Sequence, residues 1–364
     1  MRRSFLTVLL ALSLCAPVFA QTPAEEAESF GAQNLPSALD SQTREALSSV
    51  SPTSAGDFGK ELWHVITGAF SDFSPALRQA LFAAGKVLAA AMLCAFAGGA
   101  QGGGAMAVPA QIAGAFAITA LCTQDVTSMI GLARETVTKI SDFTALLLPV
   151  LSSSLAASGG SVSAGALLAG GSFAMSVLTK LSSTVLIPLV YVYILLAAAE
   201  SATDGGSLGK IRELSGWAVG LLIKGVCALF TAYLSLSRLL TGSADAAAVK
   251  AAQTAFSGMV PVVGSILSDA SESLLAGAGL IRSAAGAFGM LAVFAMALTP
   301  FLRLGAFYLA LRLAGAIGAG AVSKAHASLI SNLASAMGYM LAIAASTLWM
   351  SLVSTACFLK AVSG

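Results

Sequence analysis

Met259-Val-Pro-Val-Val-Gly-Ser-Ile-Leu-Ser-Asp-Ala-Ser-Glu-Ser-Leu-Leu-Ala-Gly-Ala-Gly279 is the stretch on which the reading of the fold turns. An apolar run meets Pro261 and Gly264, two carboxylates follow at Asp269 and Glu272, and Leu274 and Leu275 resume the apolar character. Proline removes a backbone donor and glycine loosens a helix, so a helix passing through here is interrupted. Inside hydrocarbon, such a break survives only where protein or a water-filled cavity satisfies the freed backbone groups. The segment therefore reads either as a broken helix shielded within a membrane protein or as a polar connection at the membrane surface. In the first case the carboxylate pair is costly, and it marks a functional place.

The stretch has an echo. Leu148-Pro149-Val150-Leu151 resembles Val260-Pro261-Val262-Val263, and Leu186-Ile187-Pro188-Leu189 resembles Leu298-Thr299-Pro300-Phe301. Both proline pairs lie 112 residues apart, and Leu155 and Gly165 fall on Leu267 and Gly277 at the same offset. The spacing predicts a duplicated membrane unit, with repeats at about 106–213 and 218–325. Many transport-type membrane folds are built from two such halves, with discontinuous helices in matching positions. The first copy carries Ser158-Gly159-Gly160-Ser161 where the second carries its acids, so the halves differ chemically.

The composition points to a membrane protein. Of 364 residues, 57% are hydrophobic and 10% charged, with a mean hydropathy of +0.87. Soluble domains carry about a quarter charged residues. A net charge of +2 gives no nucleic-acid footprint. Cys94, Cys122, Cys227 and Cys357 sit singly in apolar runs, and His64 and His326 are far apart, so no metal or cofactor site is expected. The glycine-rich Gly98–Gly104 lacks the order of a phosphate loop. No histidine lies in a span beside Ala157-Ser158-Gly159, and His326 reads as a loop residue, which excludes a serine–histidine dyad.

In chain order, residues 1–20 read as a signal peptide: Arg2 and Arg3, an apolar core, and Val18-Phe19-Ala20 before Gln21. Residues 21–78 form an extracytoplasmic polar segment that ends in an amphipathic surface helix from Phe58, with Trp63 at headgroup level. Residues 79–364 form an all-α polytopic domain with six to eight transmembrane helices. Spans are expected at about 79–97 and 106–122, then a surface helix over 125–142. Residues 143–157 form a broken or re-entrant segment around Pro149, being too short to cross. One kinked span or two short ones occupy 165–199, interrupted at Lys180 or Pro188. Ser201–Glu213 reads as a cytoplasmic polar connection. Leu214–Leu236 is a span with Lys224 at its middle; because an ammonium at mid-membrane costs a few kcal/mol, it should face the bundle interior and pair with an acid or a carbonyl, the alternative being that it snorkels outward on a tilted helix. The stretch from Ala284 to Ala321 is split by Pro300 and Arg303, Ser323–Asn332 is polar, and Leu333–Phe358 is the last span.

Val260-Pro-Val-Val-Gly264, Ser268-Asp269-Ala270-Ser271-Glu272, Arg282-Ser-Ala-Ala-Gly286 and the later Pro300, taken in this order, resemble the stage III sporulation protein AE family. Arg282 stands where the family pattern has lysine, which keeps the charge. The resemblance covers nearly the whole chain and is densest from about Leu146 to Ala321. It implies a non-enzymatic, multi-pass subunit of a secretion-like channel complex in the mother-cell membrane facing the forespore. Its implied partners are other stage III sporulation membrane proteins and a cytoplasmic ATPase, with no cofactor. The residues alone also allow a self-sufficient secondary transporter of an ion or small solute. On either reading the candidate functional residues are Pro149, Pro188, Lys224, Pro261, Gly264, Asp269, Glu272, Arg282, Pro300 and Arg303.

Overall fold

The computed structural model describes residues 32–48, 58–99, 107–157, 161–203, 206–240 and 284–362. All regular structure among them is helical. A 3₁₀ turn at Ala32–Ala38 and the short α1 (Ser41–Ala46) precede the long helices α2 (Phe58–Gly99) and α3 (Ala107–Ala157). Next, α4 (Ser161–Leu181) runs through a π turn at Ser182–Leu186 into α5 (Ile187–Thr203). Helices α6 (Gly206–Leu240), α7 (Ala284–Gly318) and α8 (Lys324–Val362) complete the described chain. Among the described residues six helical stretches are long and apolar enough to cross a membrane, with α4 and α5 counting as one. The chain is thus an all-α, multi-pass membrane protein.

Helices α7 and α8 form a central hairpin. They are buried along most of their length, whereas the other candidate spans keep most of theirs at the surface. Helix α7 packs on α8, α2 and α3, while α8 also touches α3, α5, α4 and α6. The sequence allows this because both helices are built from small and aliphatic residues whose apolar positions run all round, as a fully enclosed helix requires. Two apolar cores stack along the axes. One joins Leu147, Phe143, Phe288, Leu291 and Phe358 with Leu35 and Leu39 of the N-terminal segment. The other joins Ile118, Ile130, Val190, Leu304, Leu311 and Met337.

Cross-links fix the register. Near one end, Gly114 faces His326 and Cys94, and Gln111 and Ser201 join α3 to α5. Toward the other, Gly289 meets Leu147, Gly171 meets Ser354, and the Thr144 and Ser351 hydroxyls share a 2.6 Å hydrogen bond. Gly99, Ala107, Thr203, Gly206, Gly318 and Lys324 therefore gather at one end of the bundle. Ala157 and Ser161, Leu240, Ala284 and Val362 lie at the other, which is also where the N-terminal segment packs.

Several expectations are corrected. The expected span over 106–122, surface helix over 125–142 and broken segment over 143–157 are one unbroken α3 of 51 residues. At 1.5 Å per residue it is about 76 Å long, more than twice the ~30 Å hydrocarbon thickness. Pro149 does not break it: the ring withholds a donor from the Ala145 carbonyl, but Ala145 and Pro149 both lie on an exposed face. The surface helix from Phe58 and the first span likewise merge into α2, with Pro75 inside it. Pro188 follows the π turn, in which Ile187 N–H donates to the Ser182 carbonyl, five residues back. Pro300 sits within continuous α7, so the two matched prolines are accommodated differently. The expected polar stretch Ser323–Asn332 is the start of α8, capped by Ser323 Oγ, which accepts from His326 N–H at 3.3 Å. His326 is thus helical and 2% exposed, not a loop residue.

The N-terminal segment is clasped by charge. Asp40 caps α1 by accepting from Thr43 N–H at 3.1 Å, and Lys139 on α3 reaches it at 2.9 Å while also holding Glu135. Burial pushes the Asp40 carboxyl up, but hydrogen bonds from Thr43 and Lys139 outweigh it and hold it below the usual carboxylate range. A carboxyl lowered on folding stabilises above its unfolded value and loses that contribution as pH falls through the folded one. Protection of the Thr43 amide in hydrogen exchange is therefore expected to hold at neutral pH and to fall only below about pH 4. Since both side chains are partly solvated, the clasp contributes no more than about 1 kcal/mol.

Candidate functional site

The densest polar arrangement among the described residues lies where the ends of α3, α5, α6 and α8 meet. Helix α5 ends on Ala-Ala-Ala-Glu200-Ser201, and α6 opens on Ser-Leu-Gly209-Lys-Ile-Arg212-Glu213. The hairpin between them brings Arg212 back onto Glu200, with Nε donating to Oε2 at 2.6 Å. Arg212 Nη1 also donates to the Tyr193 hydroxyl at 3.3 Å, and that hydroxyl donates to Asn332 Oδ1 on α8 at 3.3 Å. The guanidinium carbon sits 5.6 Å from the centroid of the Tyr193 ring, and Tyr193 meets Tyr339 edge to face at 5.4 Å. Two glycines admit the cluster. A Cβ on Gly209 would lie 2.6 Å from Glu200 Oε1, and one on Gly216 would lie 2.5 Å from the Tyr339 hydroxyl.

A second chain of hydrogen bonds adjoins it. Gln111 Nε2 donates to the Ser201 carbonyl at 3.0 Å, and Ser201 Oγ donates to the Ala325 carbonyl at 3.2 Å. His326 Nε2 lies 3.0 Å from the Gln111 carbonyl, which can only accept; that nitrogen therefore carries the proton, and Nδ1 is left buried without a partner. The bonds run in a closed loop through α3, α5 and α8. Chemically the arrangement is a fastener: Arg212 and Glu200 are paired within the chain, and the His326 imidazole is taken up by the Gln111 carbonyl. Among the described residues no three His, Cys, Asp or Glu side chains converge as a metal site would require.

The sequence candidates are dispersed. Lys224 is exposed on α6 and does not face the interior, because the inward positions of that helix are Val219, Cys227, Phe230 and Leu234. Arg303 is exposed on α7, Pro149 and Pro188 are exposed, and Pro300 is half-buried. None of these five hydrogen-bonds or ion-pairs with another. Pro261, Gly264, Asp269, Glu272 and Arg282 lie outside the described residues, as do the signal-peptide residues and the centre of the second expected repeat. Sequence reasoning missed Tyr193, Glu200, Arg212 and His326 as a group. A carboxylate and a guanidinium on either side of the short Asp204-Gly205-Gly206 sequence were the available signal, since two helices joined through so few residues bring such flanks together.

The comparison with protein families bears on the whole bundle. The family model described as stage III sporulation protein AE matches residues 48–361, which takes in every long helix. The chain belongs to that family. The family carries a sporulation role. One curated relative, the stage III sporulation protein AE of Bacillus subtilis (strain 168), is 24% identical over 191 residues. That alignment covers 52% of this chain and 47% of the relative, so the chain matches about half of its relative's length. No solved structure matches the chain. Within the family, the arginine–glutamate knot and the hydrogen-bonded loop through His326 are what hold the helix ends in place in this member.

Proposed function

We propose that the chain is a non-enzymatic membrane subunit of a sporulation channel complex that crosses the envelope between mother cell and forespore, and that it forms the complex's membrane platform or conduit. Its partners on this reading are other stage III sporulation membrane proteins and a cytoplasmic ATPase. The protein sits in the mother-cell membrane around the forespore, with the N-terminal segment extracytoplasmic. The observation that carries the reading is the outward placement of Lys224 and Arg303. A self-sufficient transporter would use intramembrane cations on a pathway through its own bundle; here both lie on the outer surface of the bundle. The fully charge-paired knot at the helix ends also suits a rigid frame better than a moving gate.

Purified protein in proteoliposomes, assayed for solute and ion uptake alone and with the ATPase and the other complex members, tests this. No flux from the protein alone, and activity only in the assembled complex, is the expected result. Flux from the protein alone overturns the proposal in favour of the transporter.

A further inference from the structure

The helices are much longer than a membrane is thick, and the exposed side chains mark where the membrane lies. The level at which Cys94, Gly114 and His326 meet serves as a base. Ser201 on Gln111 and Ala325 ties α5 to that base, Arg212 on Glu200 ties α6, and Gly315 beside Ser331 with Tyr308 beside Gly338 ties α7. At 1.5 Å per helical residue, Arg78, Arg134, Lys180, Lys224 and Arg303 all stand about 20–30 Å above the base. The five come from five different helical stretches, all five are exposed, and none is ion-paired among the described residues. The nearby Glu135 is held by Lys139, and Asp125, half-buried, sits lower on α3.

Below this ring large apolar side chains dominate the outer surface: Phe82 and Phe96, Phe116, Leu195, Trp217 and Leu313 are all exposed. Exposed cations in this zone lie along such side chains or hold a neighbour, Lys86 over the Phe82 ring and Arg312 on Ser331 Oγ and the Tyr308 ring. Above it the surface changes. Helix α3 exposes Glu135, Thr138, Asp142 and Pro149, and α2 exposes Lys60, His64, Thr67 and Ser74. The large apolar side chains exposed from the ring upward are fewer than below it: Trp63 and Phe70 on α2, Leu146 on α3, Phe173 and Val177 on α4 and Leu229 on α6. Over the same height α7 from Ala285 to Leu298 and α8 from Met350 to Leu359 are buried almost throughout, sheathed as in a water-facing body.

We propose that the bilayer surrounds only the half of the bundle near the helix ends at Thr203, Gly206, Gly318 and Lys324, that the other half stands out of the membrane on the N-terminal side, and that Arg78, Arg134, Lys180, Lys224 and Arg303 form a collar binding the phosphate groups of anionic lipids at the boundary. Charge complementarity selects that occupant. Five unpaired cations at one height meet a layer of phosphates, where each lysine or arginine gains on the order of 1 kcal/mol, whereas the same groups facing hydrocarbon would be penalised. The mainly apolar zone below the collar, about 20–30 Å tall, is close to the ~30 Å hydrocarbon thickness, and the whole of α3 is not.

The test uses the full chain in nanodiscs of phosphatidylcholine with or without phosphatidylglycerol. Native mass spectrometry of the released protein should show phosphatidylglycerol retained over phosphatidylcholine by at least about tenfold, from the summed per-residue attraction. The combined variant Arg78→Gln, Arg134→Gln, Lys180→Gln, Lys224→Gln and Arg303→Gln should lose that preference. A preference unchanged in the variant overturns the collar. Inorganic phosphate that displaces the lipid completely from the intact collar would assign the site to free phosphate and overturn the lipid assignment. Independently of the collar, bimane attached at Phe116→Cys should be quenched by nitroxides in the acyl chains, while bimane at Thr138→Cys should be quenched by aqueous iodide. Equal acyl-chain quenching at both positions overturns the protruding half.

Discussion

Replacing Gly114 with alanine is expected to destabilise the bundle by about 1–3 kcal/mol, and leucine there by the upper end of that range or more. A Cβ on Gly114 would overlap the His326 imidazole and come within 3.1 Å of Cys94 Cβ. The imidazole has nowhere to go: it is 2% exposed, and its Nε2 is held by the Gln111 carbonyl. The substitution thus strains α2, α3 and α8 at once. Gly131 on the same helix supplies the control, because nothing lies within 4 Å of its Cβ position. Alanine at Gly131 should stabilise by about 0.5–1 kcal/mol through reduced backbone entropy in the unfolded chain. The readout is reversible unfolding in detergent, with Gly114→Ala also made in a His326→Ala background. If the overlap is the cause, most of the penalty vanishes there; an undiminished penalty would mean that the imidazole is not what the new methyl meets.

The second large effect is expected at the Arg212 knot. Arg212→Ala should cost about 2–3 kcal/mol, between the values of an exposed pair and a buried one. The intermediate figure follows from the side chains, which are 13% exposed for Arg212 and 27% for Glu200. Removing the guanidinium strands a half-buried carboxylate and takes a donor from the Tyr193 hydroxyl. Glu200→Ala in the Arg212→Ala background should therefore cost much less than in the parent, leaving a coupling energy of about 1–2 kcal/mol in a double-mutant cycle. Arg212→Lys keeps the charge but cannot serve Glu200 and Tyr193 together with a planar fork, and it should recover only part of the loss. Additivity of the single effects within about 0.5 kcal/mol would show that the pair is merely adjacent.

Lys224 shows most plainly where the sequence argument stopped. Its burial cost was legible, and from that cost an interior position follows if the helix must be lined by lipid on its outer side. That argument takes for granted that the residue lies at mid-membrane. In the bundle Lys224 is exposed, at about the height of Arg303, Lys180 and Arg78 on other helices, an arrangement no single helix reveals. Pro149 carries the same lesson. The sequence argument takes a proline inside an apolar run as a break, but α3 runs through Pro149 without one, with Ala145 and Pro149 both on its exposed face.

From its sequence alone, the chain's all-helical character, its membrane residence and its several crossings were determined, because they depend on local hydropathy and on the rule that spanning segments satisfy their own backbone hydrogen bonds. The order of Pro261, Gly264, Asp269, Glu272, Arg282 and Pro300 likewise carried the family resemblance. Only the tertiary structure decided that α7 and α8 form the buried axis, that three expected segments are one helix, and that Tyr193, Glu200, Arg212 and Asn332 meet. These are matters of register between helices far apart in the chain, set by close approaches such as Gly114 on His326 and Gly289 on Leu147. Hydropathy says which stretches enter a bundle but carries no information about which faces touch.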